Sequence, residues 1–248
     1  MAYICDVEEQ AIAKGLKPFA NAVRKPTVIK DVRELVKKKD FDALIIAAPD
    51  HWHAPAAILG LTHGKHVYVE KPCGHNPYEG ELLVSAMHKY PKQLIQMGNQ
   101  RRSFPNLIEA ARLIKEEKII GNAYLGKSWY TNNRKSIGTG KKIPVPTTLD
   151  FELWQGPAPR RDYKDNLVHY NWHWFWHWGA GGNLQQWYAR NRLLPLVPRL
   201  DFPTKVTSAG GRYTFQDDWE TPDTQIATFE LEKVNPLLGR EKLQTNSR

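Results

Sequence analysis

The residue best suited to chemistry in this sequence is Lys71, in the run Val69-Glu70-Lys71-Pro72. A lysine at the end of a strand, ahead of a proline that fixes the backbone, can move a substrate proton while a bound cofactor takes hydride. The plainer alternative is a surface lysine paired with Glu70. Asp50-His51-Trp52-His53 offers two histidines two apart, but no further carboxylate or cysteine stands at metal-ligand spacing. A loop packed beside a cofactor is the better reading, and no metal is expected. Gln100-Arg101-Arg102 closes another strand and suits oxygen-rich groups, unless it is only a solvated charged turn. The run N-W-H-W-F-W-H-W-G, Asn171 to Gly179, is the most unusual in composition. As a strand it places Trp172, Trp174, Trp176 and Trp178 on one face, opposite His173, Phe175 and His177; as a helix it stacks His169, His173 and His177. Core packing accounts for most of these rings. One or two of them, with Trp174 and His177 as the candidates, are expected to face a carbohydrate.

These residues need elements to hold them. Ala43 to Ala48 is a short apolar run halted by Pro49-Asp50, as in a strand buried on both faces of a parallel sheet. Ala54 to Thr62 is rich in alanine and leucine and predicts a helix that ends before Gly64. Val67 to Val69 is a second strand, so Phe41 to Pro72 forms a βαβ unit. Ligands bind beyond the carboxyl ends of strands in open α/β sheets, and both Pro49–His53 and Glu70–Lys71 fall at that edge. Upstream, Ala2 to Val7 predicts a strand ending in Asp6, Glu8 to Leu16 a helix, Val28-Ile29 a strand, and Asp31 to Lys39 a helix capped by Asp31. Downstream, Tyr78 to His88 predicts a helix and Gln93 to Gly98 a strand. Alternating strands and helices specify a doubly wound parallel sheet.

The texture changes after Arg102. Asn106 to Glu117 predicts an amphipathic helix, Ala123 to Tyr130 a strand, Asn132 to Thr148 a polar loop, and Thr204 to Arg212 and Thr224 to Leu231 further strands. The expected fold is therefore α/β: an incomplete Rossmann-type doubly wound sheet over 1–104, then an α+β domain with a largely antiparallel open sheet over 105–248. It is called incomplete because a dinucleotide-binding sheet opens with a strand and a G-x-G-x-x-G turn, followed about twenty residues on by the acid that holds the ribose. Asp6 stands where that acid belongs, and no such turn precedes it or occurs elsewhere. The expectation is a chain lacking its amino-terminal strand and glycine loop.

Composition excludes other classes. With 248 residues, 41% hydrophobic and 25% charged, this is a globular chain with a real core. The two cysteines, Cys5 and Cys73, argue against a disulfide framework or structural zinc. No apolar run approaches a membrane span, and no signal peptide is visible, so the cytoplasm is the expected compartment, although an export signal would be lost with a missing amino terminus. The net charge of +9 is scattered without interleaved base-stacking aromatics, so nucleic acid is not an expected partner.

The motifs Ala47 to His53 (A-A-P-D-H-W-H), Val69 to Pro72 (V-E-K-P) and Gln96 to Arg102 (Q-M-G-N-Q-R-R), in that order, resemble the glucose–fructose oxidoreductase/inositol dehydrogenase (Gfo/Idh/MocA) family. The resemblance runs from about Asp6 to Ala180 and again from Asp201 to Leu231. It implies a Rossmann domain followed by an open-sheet α/β domain, NAD or NADP as cofactor, a sugar or polyol as substrate, and a homo-oligomer. It makes Lys71 the catalytic lysine, places Asp6 on the adenosine ribose (which favours NAD), and sets Ala48, Pro49, Asp50, His51, His53, Glu70, Lys71 itself and Gln100 about the cofactor. Arg101, Trp174 and His177 fall to the substrate. The family's histidine-bearing stretch should follow the tryptophans, but Gly182 to Leu200 matches nothing in it. Read one base later with permitted codons, Asn183 to Leu200 becomes I-C-N-N-G-T-H-E-I-D-C-C-R-W-F-L-G-L, which is similar to that stretch. The expectation is that this segment, and the tail from about Val234, are out of frame, leaving either an enzyme by descent or an inactive remnant that acts through oligomer contacts. The coding DNA decides it: an uninterrupted family-like frame at codons 183 to 200 is incompatible with this reading.

Overall fold

The structure is a computed structural model that describes residues 1–121, 125–129, 134–181, 203–235 and 239–247, with the backbone alone for 101, 102, 128 and 231–247. Two compact units divide the chain, one of 1–98 with 139–180 and one of 99–138 with 181–248. A single cut between 104 and 105 therefore misses that residues 139–180 return to the first unit.

The first unit alternates β1 (Tyr3–Cys5), α1 (Glu9–Leu16), β2 (Thr27–Ile29), α2 (Val32–Leu35), β3 (Ala43–Ile46), α3 (Asp50–Thr62), β4 (His66–Val69), α4 (Pro77–Lys89) and β5 (Ile95–Met97). All its strand pairs are parallel, as the crossover helices require. They form two pieces, β1-β2 and β3-β4-β5, rather than one continuous sheet. A doubly wound sheet sets a strand between these two sets, and among the described residues none pairs with β1 or β3 in that place. One core nevertheless joins both pieces, with Leu35 and Val36 at the end of α2 packed with Leu44, Ala57 and Leu61.

Two expectations about the central βαβ unit change. Strand β3 is not buried on both faces: Leu44 and Ile46 are 7% and 5% exposed, but Ile45 is 70% exposed because it looks into an open cavity. Asp50 to His53 is not a loop; it is the first turn of α3, entered through Pro49 at φ −58°, ψ 153°. The Trp52 N–H donates to the Pro49 carbonyl at 2.9 Å, and the Asp50 carboxylate sits at the positive end of the helix dipole. The helix stops as expected. Gly64 takes φ +75°, and Lys65 N–H closes back on the Gly60 carbonyl at 2.9 Å.

At Gly60, α3 lies close against the sheet. A Cβ there would lie 2.9 Å from Val67 Cγ2 and 3.3 Å from Leu44 Cδ2. Gly60→Ala is expected to lose about 1–3 kcal/mol by overpacking, against at most about 1 kcal/mol gained in helix propensity. Urea melts should show a lower midpoint, and a higher one would mean the contact yields.

The returning stretch 139–180 is stitched to the first unit at the start of α1, where Glu9 N–H donates to Thr148 O and Asp150 N–H to Val7 O, each at 3.0 Å. It carries α6 (Phe151–Gln155), capped by the Asp150 carboxylate on Leu153 N–H at 2.9 Å. The tryptophan run is neither strand nor helix beyond a single 3-10 turn, Asn171–Trp174. Trp172, Trp174 and Trp178 are buried, and Trp154 meets Trp178 edge-on at 5.5 Å.

The second unit holds α5 (Pro105–Lys115) and a sheet of β6 (Leu125–Ser128), β9 (Gly239–Ser247), β8 (Thr224–Asn235) and β7 (Lys205–Gly211), in that order. β7-β8 and β8-β9 are antiparallel and β6-β9 is parallel, so the expected largely antiparallel sheet is present. The unmatched segment Asn183 to Leu200 lies outside the described residues. Of the tail from Val234, the structure describes only backbone, in β8 and β9.

Candidate functional site

A cavity of about 470 Å³ opens at the carboxyl edge of the first unit's strands. Its floor is the gap between the two pieces of sheet: Cys5 and Asp6 at the end of β1 on one side, Leu44 to Pro49 of β3 and its exit on the other. The returning stretch closes it with Trp154, His169, Trp172 and His173. Of the expected cofactor residues, Asp6, Ala48 and Pro49 line this cavity. Asp6 Oδ1 accepts the Glu8 N–H at 3.0 Å, and burial raises its carboxyl above the ordinary range against that bond and the backbone N–H of Val7. Burial also pushes the Cys5 thiol up to about 12, with Asp6 and Asp31 adding to it.

Lys71 sits one strand further along, where the chain leaves β4. Its side chain is half-buried, and its peptide bond to Pro72 is cis. Glu70 is held beside it by position. Its carboxylate and the Tyr68 hydroxyl both crowd Gly98, to within 3.0 and 2.7 Å of where a Cβ would stand. Burial, then the Glu70 charge and its hydrogen bond, raise the Tyr68 phenol above its ordinary value.

Asp50, His51 and His53 are 1%, 3% and 2% exposed, and their side chains are spent inside the protein. Asp50 Oδ2 accepts the Ala180 N–H at 3.1 Å. His51 Nε2 lies 2.8 Å from the Trp154 carbonyl oxygen, and Trp52 Nε1 donates to the Leu153 and Trp154 carbonyls at 3.1 Å. His53 reaches the Ala48 and Pro72 carbonyls at 2.7 and 2.5 Å. Burial holds the His51 imidazole down to about 4, opposed by the carbonyls of Trp154 and Trp178. Four consecutive side chains thus tie the start of α3 to other segments of its unit. Of the four, Trp52 also lines the cavity; Asp50, His51 and His53 do not.

Of the expected substrate residues, Trp174 and His177 do not line the cavity. Trp174 is 2% exposed and has no face to offer a sugar, because it is part of the core; Trp176, at 56%, is the ring left open. His177 Nε2 lies 2.6 Å from the Pro159 carbonyl oxygen. Gln100 and Arg101 belong to the second unit, in a 3-10 helix, Gln100–Ser103. Sequence reasoning missed His169, Trp172, His173 and Trp154 as cavity walls. Nothing in their local pattern signals that 139–180 folds back on the first unit.

A dinucleotide fits part of this arrangement. An acid at a strand end facing a cavity suits a ribose diol, and the backbone of Ala48 and Pro49 offers a close face for a ring. Among the described residues no glycine-rich turn at a helix amino terminus lines the cavity to cradle a pyrophosphate. The donor set therefore fits the ribose and ring ends of the cofactor and not its middle.

Comparison with known proteins points the same way. Residues 4–98 match the Gfo/Idh/MocA oxidoreductase family's NAD-binding Rossmann fold, and 99–190 match its C-terminal alpha/beta domain. A glycosyl hydrolase family 109 protein of Shewanella sp. (strain MR-4) is 35% identical over 101 residues, covering 39% of this chain and 22% of that protein. Inositol 2-dehydrogenase/D-chiro-inositol 3-dehydrogenase of Shouchella clausii is 23% identical over 150 residues, covering 60% of this chain and 42% of that protein. The crystal structure of scyllo-inositol dehydrogenase from Lactobacillus casei, with NAD(H) and scyllo-inositol bound, aligns with a TM-score of 0.66 at 18% identity, over all of this chain and 60% of the other. The chain spans less than two thirds of the length of each of these proteins. With both of the family's domains matched in order and its parallel-sheet and open-sheet units present, the chain belongs to the Gfo/Idh/MocA oxidoreductase family.

Proposed function

We propose that this chain carries the nicotinamide-dependent half-site of an oxidoreductase acting on a sugar or polyol, with NAD preferred over NADP. The observation that supports it most is the cavity at the carboxyl edge, with Asp6 on one wall, Ala48 and Pro49 on the other, and Lys71 at the next strand end. Asp6 would accept from the ribose hydroxyls, and a carboxylate there repels a 2′-phosphate, which is the physical basis of the NAD preference. The dinucleotide, when bound, supplies hydride transfer. The protein's own part is to exclude water with the wall of Trp154 and Trp172, to orient the ring against Ala48 and Pro49, and to hold a proton at Lys71 Nζ. In oxidation Lys71 takes the hydroxyl proton as the carbon loses hydride; in reduction it returns it.

Titration with NAD, followed by quenching of tryptophan fluorescence, tests the reading, because Trp154 and Trp172 wall the cavity. Saturable quenching that is stronger with NAD than NADP is expected. No quenching at millimolar cofactor would remove the enzyme reading for this chain. The similarity to proteins named glycosyl hydrolase family 109 favours a second reading, in which a glycoside is cleaved by addition of water. Release of free sugar from a glycoside, with no net change in NADH absorbance, would select it over net dehydrogenation.

A further inference from the structure

We propose that His53 is the positioning residue for Lys71. It ties the exit of β3 to the backbone immediately after the lysine, through the carbonyls of Ala48 and Pro72. This rests on the reading of Lys71 as the group that moves the proton. His53 lies in the first turn of α3, 2% exposed, with Nε2 2.7 Å from Ala48 O and Nδ1 2.5 Å from Pro72 O. Ala48 belongs to the wall of the cavity and Pro72 directly follows Lys71. One rigid ring, anchored by its own helix, therefore spans from the ring-binding face to the backbone after the lysine; both nitrogens face carbonyl oxygens, so both contacts are hydrogen bonds when each nitrogen carries a proton. β3 and β4 are hydrogen-bonded neighbours only as far as Ile46 and Val69, so beyond those residues the two exits depend on other links. One is the Glu70 N–H on Ile46 O at 2.9 Å, and another is His53, which reaches past Lys71 to Pro72. The other side chains of that helical turn go elsewhere: Asp50 to Ala180, His51 to Trp154, and Trp52 to Leu153 and Trp154. A proton carrier misplaced by an ångström loses much of its effect, so such a link has functional weight.

In the wild-type protein, nuclear Overhauser contacts from the His53 ring to both Ala48 and Pro72 are expected, and absence of either one overturns the bridge. His53→Gln, which keeps a single donor group, and His53→Ala are then compared with His51→Gln. The last is a control at an equally buried position of the same helix whose bond does not reach the lysine. Trace acetylation with acetic anhydride, read by mass spectrometry, gives the reactivity of Lys71 relative to exposed Lys92. Both His53 variants should change that ratio about threefold or more, because a displaced ammonium meets different burial and charge. His51→Gln should leave it unchanged although it lowers the melting midpoint. An unchanged ratio in folded His53→Gln, or equal changes in the His51 and His53 variants, refutes the positioning role. Because the readout is lysine chemistry and not turnover, it stands or falls separately from the assignment of Lys71 to catalysis.

Discussion

Lys71→Met is expected to lower turnover of the sugar or polyol about 10²- to 10⁴-fold, the range supplied by one positioned proton carrier. Methionine keeps the length and apolar stem of the half-buried lysine and removes only its proton chemistry. The loss should fall on kcat, with KM for the substrate and the NAD titration little changed, because the lysine's contribution is made in the transition state. The residue stands at the end of β4 and outside the cavity that Asp6, Ala48 and Pro49 line, so cofactor affinity has no reason to follow it. A variant retaining more than a tenth of wild-type turnover would mean that another group moves the proton. One that loses NAD quenching in parallel would mean that Lys71 binds rather than reacts.

The second large effect is on stability against pH. His51 is 3% exposed, with its Nε2 2.8 Å from the Trp154 carbonyl oxygen and its ring edge-on to Trp154 at 5.3 Å. The folded protein keeps the ring neutral down to about 4, from an ordinary value of 6.5, chiefly because burial penalises the charged form. The unfolded chain takes up that proton near the ordinary value, so in the window between 6.5 and 4 the unfolded state binds more protons than the folded one. Stability due to this group is complete above 6.5 and is lost as the pH falls toward 4, by about 3 kcal/mol in all. Urea melts at steps from pH 7 to pH 4 should therefore fall more steeply for the wild type than for His51→Gln, which has nothing to protonate at this position. Parallel slopes for the two proteins would show that His51 is reached by solvent or protonated in place.

Much of the fold was legible because it is local. Ala43 to Ile46 and His66 to Val69 are β-prone runs bounded by breakers, Gly64 ends α3 where a glycine after an alanine- and leucine-rich run should, and Asp31 caps α2 through the Arg33 N–H at 2.8 Å. α2 itself is shorter than its pattern, Val32–Leu35, because the chain is exposed from Lys37 to Asp40, beyond the core contacts of Val32, Leu35 and Val36. Of the site, the strand-end positions of Asp6 and Lys71 were legible, since strand ends at one edge of a parallel sheet gather wherever the crossovers are short. The tryptophan run was not, because its rings are sorted by what 139–180 packs against, and no single periodicity covers a 3-10 turn followed by irregular chain.

Asp50-His51-Trp52-His53 shows where that boundary lies. Its residue types marked it as special, and its place after β3 put it at the carboxyl edge of the sheet, so the sequence by itself determined where this stretch stands and which family the chain resembles. What each side chain does was decided by tertiary structure alone. His51 and Trp154 are 103 residues apart, Asp50 and Ala180 are 130 apart, and the hydrogen bonds that join these pairs go to backbone groups. Every residue carries a carbonyl and nearly every one an N–H, so such a partner leaves no mark in the sequence. Only the return of 139–180 brings those groups to the start of α3, turning a quartet that looks like ligands into the ties that hold a cavity wall and a lysine in place.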